Sequence, residues 1–357
     1  MTRSRTALVA AIVATAIVGA CSGLAHVAAL QPPSAATDEA AELGFTLQPA
    51  PVRQLGIGVD FYTYPGQNVV AGAESTIGYV KSLHANSISI SFPFFTHGRS
   101  SSRVYATSET PSPAELATVA SIAERAGLYV SIRPLLDETT LGESRTVWMP
   151  RNAAAWFASY QRFLLPYAQM AQLALIPEVV EGTEFDQFAT SPRWNRLASA
   201  IRRVYKGTLV YDNNWGTRIA GSGGSGVAEA VDTYKPLRVP ATATIAQLTA
   251  GWRAYDATLP RGTVEAEVDI AAVRGAYGRP YDVGPWPTKR LAPAVQVDWF
   301  TAACNAMADL HLGGIYFWAV GLGQSLTTPP GLANPGSWVD SPGAAAIAAC
   351  FQRLVAA

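Results

Sequence analysis

The sequence predicts a single (β/α)8 barrel, and three observations carry that prediction. From residue 55 onward, short apolar segments alternate with amphipathic helical ones. That order makes parallel strands with helices packed outside them. Eight strand segments can be found, which suits a closed barrel carrying loop insertions. An open doubly wound sheet would show a glycine-rich phosphate loop with its lysine after an early strand. Here Gly221–Gly226 follows no strand directly and lacks the lysine; it reads as a mobile loop.

Taken in order, the strands are predicted at Gly56–Tyr62, Ser87–Phe92, Tyr129–Pro134, Glu178–Glu184, Thr208–Asn213, Val231–Tyr234, Thr263–Val268 and Gly313–Trp318. The clearest helices fall at Pro113–Ala126, Ala153–Leu173, Arg193–Tyr205, Ile245–Leu259 and Pro293–Leu310, with a last one at Gly343–Leu354. Ser112-Pro113-Ala114-Glu115 places Ser at the N-cap, Pro in the first turn and Glu at N3, a capping box. Ser191-Pro192 and Ser341-Pro342 precede the fourth and eighth helices in the same way. Gly127 and Gly207 stand where a helix must stop and hand over to a strand. The pattern implies eight strand–helix pairs.

The first 50 residues stand apart from this alternation. Arg3 and Arg5 precede an apolar run from Ala7 to Ala20, shorter than the roughly 20 residues that span a bilayer. Val18-Gly19-Ala20-Cys21 has the small residues before cysteine that a lipoprotein signal requires. Residues 1–20 are therefore read as a signal peptide, with Cys21 lipidated, and 21–50, rich in Ala, Pro and acids, as anchor and flexible tether. Cleavage near Val27-Ala28-Ala29 would instead give a soluble secreted protein. Residues 51–357 form the barrel. The expected location is outside the cell, anchored to its membrane only through the N-terminal lipid. Cys304 and Cys350 remain, either bridged or as two buried thiols; an even pair in an oxidising compartment suggests the bridge.

Charge and motif content exclude several functions. Lys plus Arg and Asp plus Glu balance at 26 each, so nucleic acid is not an expected partner. No Gly-x-Ser-x-Gly elbow is present, which argues against a serine hydrolase. The four histidines are scattered, with His97 alone near a strand end. No metal-ligand spacing is found, no cofactor is expected, and a monomer is expected.

Barrel active sites lie at the C-terminal ends of the strands. There the sequence offers Asp60 on strand one, Arg133, Asp137 and Glu138 on strand three, and Glu184 on strand four. Strand five adds Asn214 and Trp215, strand six Tyr234, strand seven Glu265, Glu267 and Asp269, and strand eight Trp318. Carboxylates and amides bind hydroxyls and aromatic rings stack on sugar faces, so this mixture suits a neutral polyhydroxylated ligand. Glycosidic cleavage needs two carboxyl groups, roughly 5–5.5 Å apart in retaining enzymes. Glu184 and one of the strand-seven acids form the natural pair, since strands four and seven face each other across the mouth. Period-two alternation puts all three strand-seven acids on one face; position favours Glu267. Glu181 has the opposite parity to Glu184 and is expected to face the helices.

Three segments carry a family resemblance. Glu181-Gly-Thr-Glu-Phe185, Trp194 through Gly207, and Thr208-Leu-Val-Tyr-Asp-Asn-Asn-Trp215 together resemble glycoside hydrolase family 113, retaining (β/α)8 glycosidases that are mainly β-mannanases. The resemblance implies that Glu184 is the acid/base and that Asn214 and Trp215 line the substrate site. Glu267-Val-Asp-Ile-Ala-Ala-Val-Arg-Gly275 through Pro280 is similar to the family's nucleophile segment, which selects Glu267, with Asp269 where Gly is expected. Gly313 through Trp318 resembles the closing strand, with Trp318 as a sugar platform. Asp60, Tyr234 and Asp269 are expected substrate contacts. The implied activity is retaining hydrolysis of a β-linked polysaccharide or oligosaccharide. A glycan-binding surface lipoprotein without catalysis, and an envelope transglycosylase using the same two residues, are the alternatives.

Overall fold

The computed structural model describes residues 47–98, 101–217, 220–286 and 290–355. The predicted leader and most of the tether, including Cys21, lie outside the described residues. The eight strands are β1 (Gln54–Asp60), β2 (Ser87–Phe94), β3 (Tyr129–Leu136), β4 (Glu178–Thr183), β5 (Thr208–Asn214), β6 (Ala228–Asp232), β7 (Val264–Val268) and β8 (Gly314–Gly321). They close into one parallel barrel in chain order, with β8 pairing back onto β1.

Seven α-helices surround the strands among the described residues. They are α1 (Val69–Ser82), α2 (Pro113–Arg125), α3 (Ala153–Ala174), α4 (Arg193–Arg202), α5 (Ile245–Asp256), α6 (Ala294–Asp309) and α7 (Pro342–Val355). The capping box read at Ser112 is present: its hydroxyl accepts from the Glu115 amide, and the Glu115 carboxylate accepts from the Ser112 amide at 2.8 Å.

The expectation of eight strand–helix pairs is corrected between β5 and β6, where no α-helix lies among the described residues. Gly221, Gly223, Gly224 and Gly226 all adopt positive φ there, which a right-handed helix does not permit. Nor is this stretch loose. Ser222 is fully buried, and the Ser225 amide donates to the Asn195 side chain of α4 at 2.7 Å.

The main core lies between barrel and helices. Leu55, Ile57 and Val59 of β1, Ile88 and Ile90 of β2, and Ile315 and Phe317 of β8 belong to it and are buried. Each such side chain contributes about 1.5–3 kcal/mol. A smaller apolar layer, Val180, Val210 and Ala230 with Val264 and Ala266, fills the barrel itself. Two aromatic side chains of β8 also enter it. A Cβ on Gly56 would stand 2.1 Å from the Tyr316 ring, and one on Gly58 2.0 Å from the Trp318 ring. Glycine on β1 is what admits both rings. The Trp318–Ala319 peptide bond is cis.

Cys304 on α6 and Cys350 on α7 form a disulfide, joining the last two helices of the ring. It closes a loop across a sequence separation of 46. Replacing both cysteines with alanine should cost roughly 2–4 kcal/mol. Thermal melts of the variant and of the reduced wild type should show the same lowered midpoint.

Candidate active site

The mouth is organised by a buried cation. Arg133, on β3, is 1% exposed. Its Nε lies 2.7 Å from Asp212 of β5, and Nη2 2.6 Å from Asp232 of β6. Nη1 pairs with Glu267 of β7. Nε also donates to the Thr183 hydroxyl of β4 at 3.4 Å, and the guanidinium lies 4.7 Å from the centre of the Trp318 ring of β8. One side chain thus ties β3 to the five strands that follow. Burial raises the Asp212 carboxyl to about 6 and the Asp232 carboxyl well above its usual range, with Arg133 opposing both shifts.

Glu267 is held from two sides. Besides Arg133, the Tyr234 hydroxyl donates to its other oxygen at 2.7 Å. Tyr234, expected as a sugar contact, therefore orients a carboxylate.

The structure corrects the alternation read for strand seven. Val231 pairs with Glu265 and the next residue, Asp232, with Glu267, so β7 carries one extra residue at that point. A bulge of this kind re-aims a side chain. Val264 and Ala266 pack inside the barrel, and Glu267 joins Arg133 there. Glu265 is fully buried on the other face, where it interacts with Asp256 of α5. The three acids do not share a face. Asp269 lies past the strand end, 4% exposed; one of its oxygens stands 3.1 Å from where a Cβ on Gly336 would be. It lies under the segment that precedes α7.

A similar irregularity precedes Glu184. Val180 pairs with Val210, but Gly182 pairs with Tyr211, so β4 also gains a residue. Glu181 and Gly182 both point outward. Glu181 is buried beside Tyr160 of α3, as its parity predicted, and a Cβ on Gly182 would meet the Trp194 ring at 2.6 Å. Thr183 then turns inward to Arg133. Glu184 adopts φ 54°, a left-handed conformation that costs a non-glycine residue about 1–3 kcal/mol. Its amide donates to the Asp212 carbonyl at 2.8 Å. Glu184 thus reaches the mouth through this turn of the backbone rather than through strand parity.

The Glu184 carboxyl is raised to about 7, first by burial and then by Glu267, while Arg145 and Arg133 oppose the rise. Arg145 Nη2 lies 2.9 Å from Glu184 Oε2. The sequence reading gave Arg145 no role, because it stands in a polar loop with no motif around it. Asp60, at the end of β1, is raised to about 7 by burial and by Glu267.

Among the other expected contacts, the half-buried Trp215 stacks on the exposed Tyr281 with ring centres 6.2 Å apart and planes 9° apart. The Lys235 ammonium lies 5.3 Å from the Trp215 ring centre. Asn214 accepts from the Gly216 amide at 2.8 Å. His97 is exposed on the loop after β2. Among the described residues, no group of three or more His, Cys, Asp or Glu could hold a metal ion.

A closed (β/α)8 barrel with carboxyl groups and aromatic rings at the strand ends, taken with the comparisons, defines a glycoside hydrolase of the barrel type. The model of Glycoside Hydrolase Family 113 matches residues 60–321, and the chain belongs to that family. Among solved structures it is similar to the GH113 β-mannanase of Alicyclobacillus acidocaldarius, at 17% identity and TM-score 0.69, covering 85% of this chain and 98% of that one. A GH113 β-1,4-mannanase solved as a complex matches at 15% identity and TM-score 0.69, over 84% and 99% of the two chains. A GH5_18 enzyme of Streptomyces cattleya in complex with GlcNAc matches at 14% identity and TM-score 0.53, over 85% and 81%. At these identities the likeness is one of fold. A search of curated proteins finds no significant match.

Removing the buried cation gives a direct test of the cluster. Arg133→Met leaves Asp212, Asp232 and Glu267 without their common partner and should cost about 3–5 kcal/mol at pH 7. The sign with pH follows from linkage. Asp212 rises from 3.8 to about 6 on folding even beside Arg133, so the folded state takes up protons as pH falls. Without Arg133 this preference strengthens. Melting curves should therefore show the variant regaining part of its lost stability at pH 5 relative to pH 7.

Proposed function

We propose that this enzyme hydrolyses a β-linked, mannan-type glycan with net retention, using Glu267 as nucleophile and Glu184 as acid/base. The observation that carries the reading is the contrast between the two carboxyls. They interact electrostatically across the mouth, yet their surroundings differ. Glu184 is buried and raised to about 7, so at neutral pH it can both give and accept a proton. Glu267 is held at one oxygen by Arg133 and at the other by Tyr234, which fixes its orientation in the mouth.

In the first step a Glu267 oxygen attacks the anomeric carbon. The glycosidic C–O bond breaks, and the Glu184 proton passes to the departing oxygen. In the second step water attacks the same carbon, Glu184 takes its proton, and the ester bond to Glu267 breaks. Two inversions give net retention. Trp318, fixed against Arg133, and the stacked Trp215–Tyr281 pair offer ring faces for sugar stacking. The mannan-type substrate is supported by the family and by the β-mannanases among its solved members.

On sequence grounds the proposal extends to location. Residues 1–20 direct export, Cys21 carries lipid, and the barrel hangs from a tether ending near residue 50. Cys21→Ser should shift the protein from the membrane fraction to the soluble one.

Hydrolysis of β-1,4-mannooligosaccharides, followed by proton NMR, should release the β-anomer first; initial release of the α-anomer would overturn retention. Glu184→Gln and Glu267→Gln should each lower kcat at least about 1,000-fold while leaving the melting temperature near that of wild type. Near-full activity in either variant would remove that residue from its role. The first step needs protonated Glu184, so kcat/KM should fall as pH rises through about 7.

A further inference from the structure

Arg145 belongs to no strand, yet its loop is braced. The segment from Asp137 to Asn152 joins β3 to α3. Asp137 accepts from the Tyr62 hydroxyl and from the Thr139 amide, each at 2.8 Å. Leu141 and Trp148 are fully buried. Glu138 accepts from the Arg145 amide at 2.7 Å and lies 3.6 Å from its guanidinium. Gln187 donates to the Thr146 carbonyl at 3.1 Å, tying the loop to the segment that follows Glu184. The cation at Glu184 is therefore delivered by a fixed scaffold and not by a free surface side chain.

Its electrostatic setting is lopsided. Glu184 is faced by Glu267 of β7, Asp232 of β6 and Asp186 of its own loop, with Arg133 of β3 and Arg145 as the cations. Asp60 of β1 and Glu138 face Arg145 in turn. Burial and the carboxyls all favour the protonated acid. Arg145 is the largest influence in the opposite direction, and its salt-bridge geometry favours the ionised form.

We propose that Arg145 is a positioning residue acting through Glu184: its guanidinium steers that carboxyl into the mouth and favours the carboxylate that must activate water in the second step. The inference rests on the assignment of Glu184 as acid/base. It accounts for a group that has to serve twice. A buried carboxyl left among other acids would take its proton back after the first step and so be lost as the base for the second. The cation keeps the second state accessible.

The test uses Arg145→Met and Arg145→Lys in the full exported chain, with two substrates. On a mannooligosaccharide, where leaving-group protonation matters, Arg145→Met should move the alkaline limb of kcat/KM upward by about one pH unit, a tenfold change in proton affinity. On an aryl β-mannoside whose phenol departs without protonation, it should release a burst of phenol and then turn over about 10–100-fold more slowly than wild type, with KM falling alongside kcat. Arg145→Lys, which keeps the charge, should recover most of both effects. An unmoved alkaline limb with kcat and KM falling in no common ratio would overturn the proposal, as would equal losses in the Met and Lys variants. Failure of the underlying assignment looks different: Glu184→Gln would then retain activity on the oligosaccharide, whatever Arg145→Met does.

Discussion

The ion cluster around Arg133 is the interaction on which the rest of this molecule depends. A guanidinium removed from water is costly unless its donors are satisfied, and carboxylates in the same low-dielectric space are costly unless a cation is near. Arg133 and the acids at the ends of β5, β6 and β7 answer each other's cost. The planar fork of arginine suits this role, since it reaches several partners at once in fixed directions. A lysine could neutralise the charge but could not hold these separate strands in one geometry. The cluster is therefore a structural clamp at the mouth and also the holder of the proposed nucleophile.

Two departures from regular strand geometry complete the site. The extra residues in β4 and β7 each fall just before one of the two proposed catalytic carboxylates. On β7 the extra residue turns Glu267 inward and leaves Glu265 among the helices. On β4 it brings Thr183 to Arg133, and the left-handed backbone at Glu184 then carries its side chain across the opening. Irregularities that would weaken an ordinary strand here aim the two proposed catalytic side chains, and the aromatic packing around Phe185, Phe188 and Trp194 holds the strained segment in place. Arg145 approaches the same carboxyl from a loop, so the two glutamates receive cations from different elements.

Much of this is legible in the amino-acid sequence alone. Apolar runs bounded by Gly and Pro marked the strands, Ser112 and Glu115 marked a helix start, and the residues around Glu184 and Trp215 marked the mouth. Such features are local, and local propensity writes them plainly. The bulges were not legible, because a bulge is a shift in pairing between neighbours and leaves no periodicity of its own. Strict alternation therefore put Glu265, Glu267 and Asp269 together when the fold separates them. It also brought Glu184 inward for the wrong reason. That no helix lies between β5 and β6 among the described residues was signalled by Gly221–Gly226, read only as a loop. Arg145 left no signal, since its role depends on where a braced loop ends in space.

The central claim is that Glu267, held by Arg133 and Tyr234, attacks the anomeric carbon and becomes covalently attached to the sugar. The most direct measurement is to treat the enzyme with a 2-deoxy-2-fluoro-β-mannosyl fluoride and map the product by mass spectrometry. The account predicts inactivation with one added sugar, located on the peptide that contains Glu267. A sugar on a different carboxyl, or no adduct while turnover of the reagent continues, would contradict it.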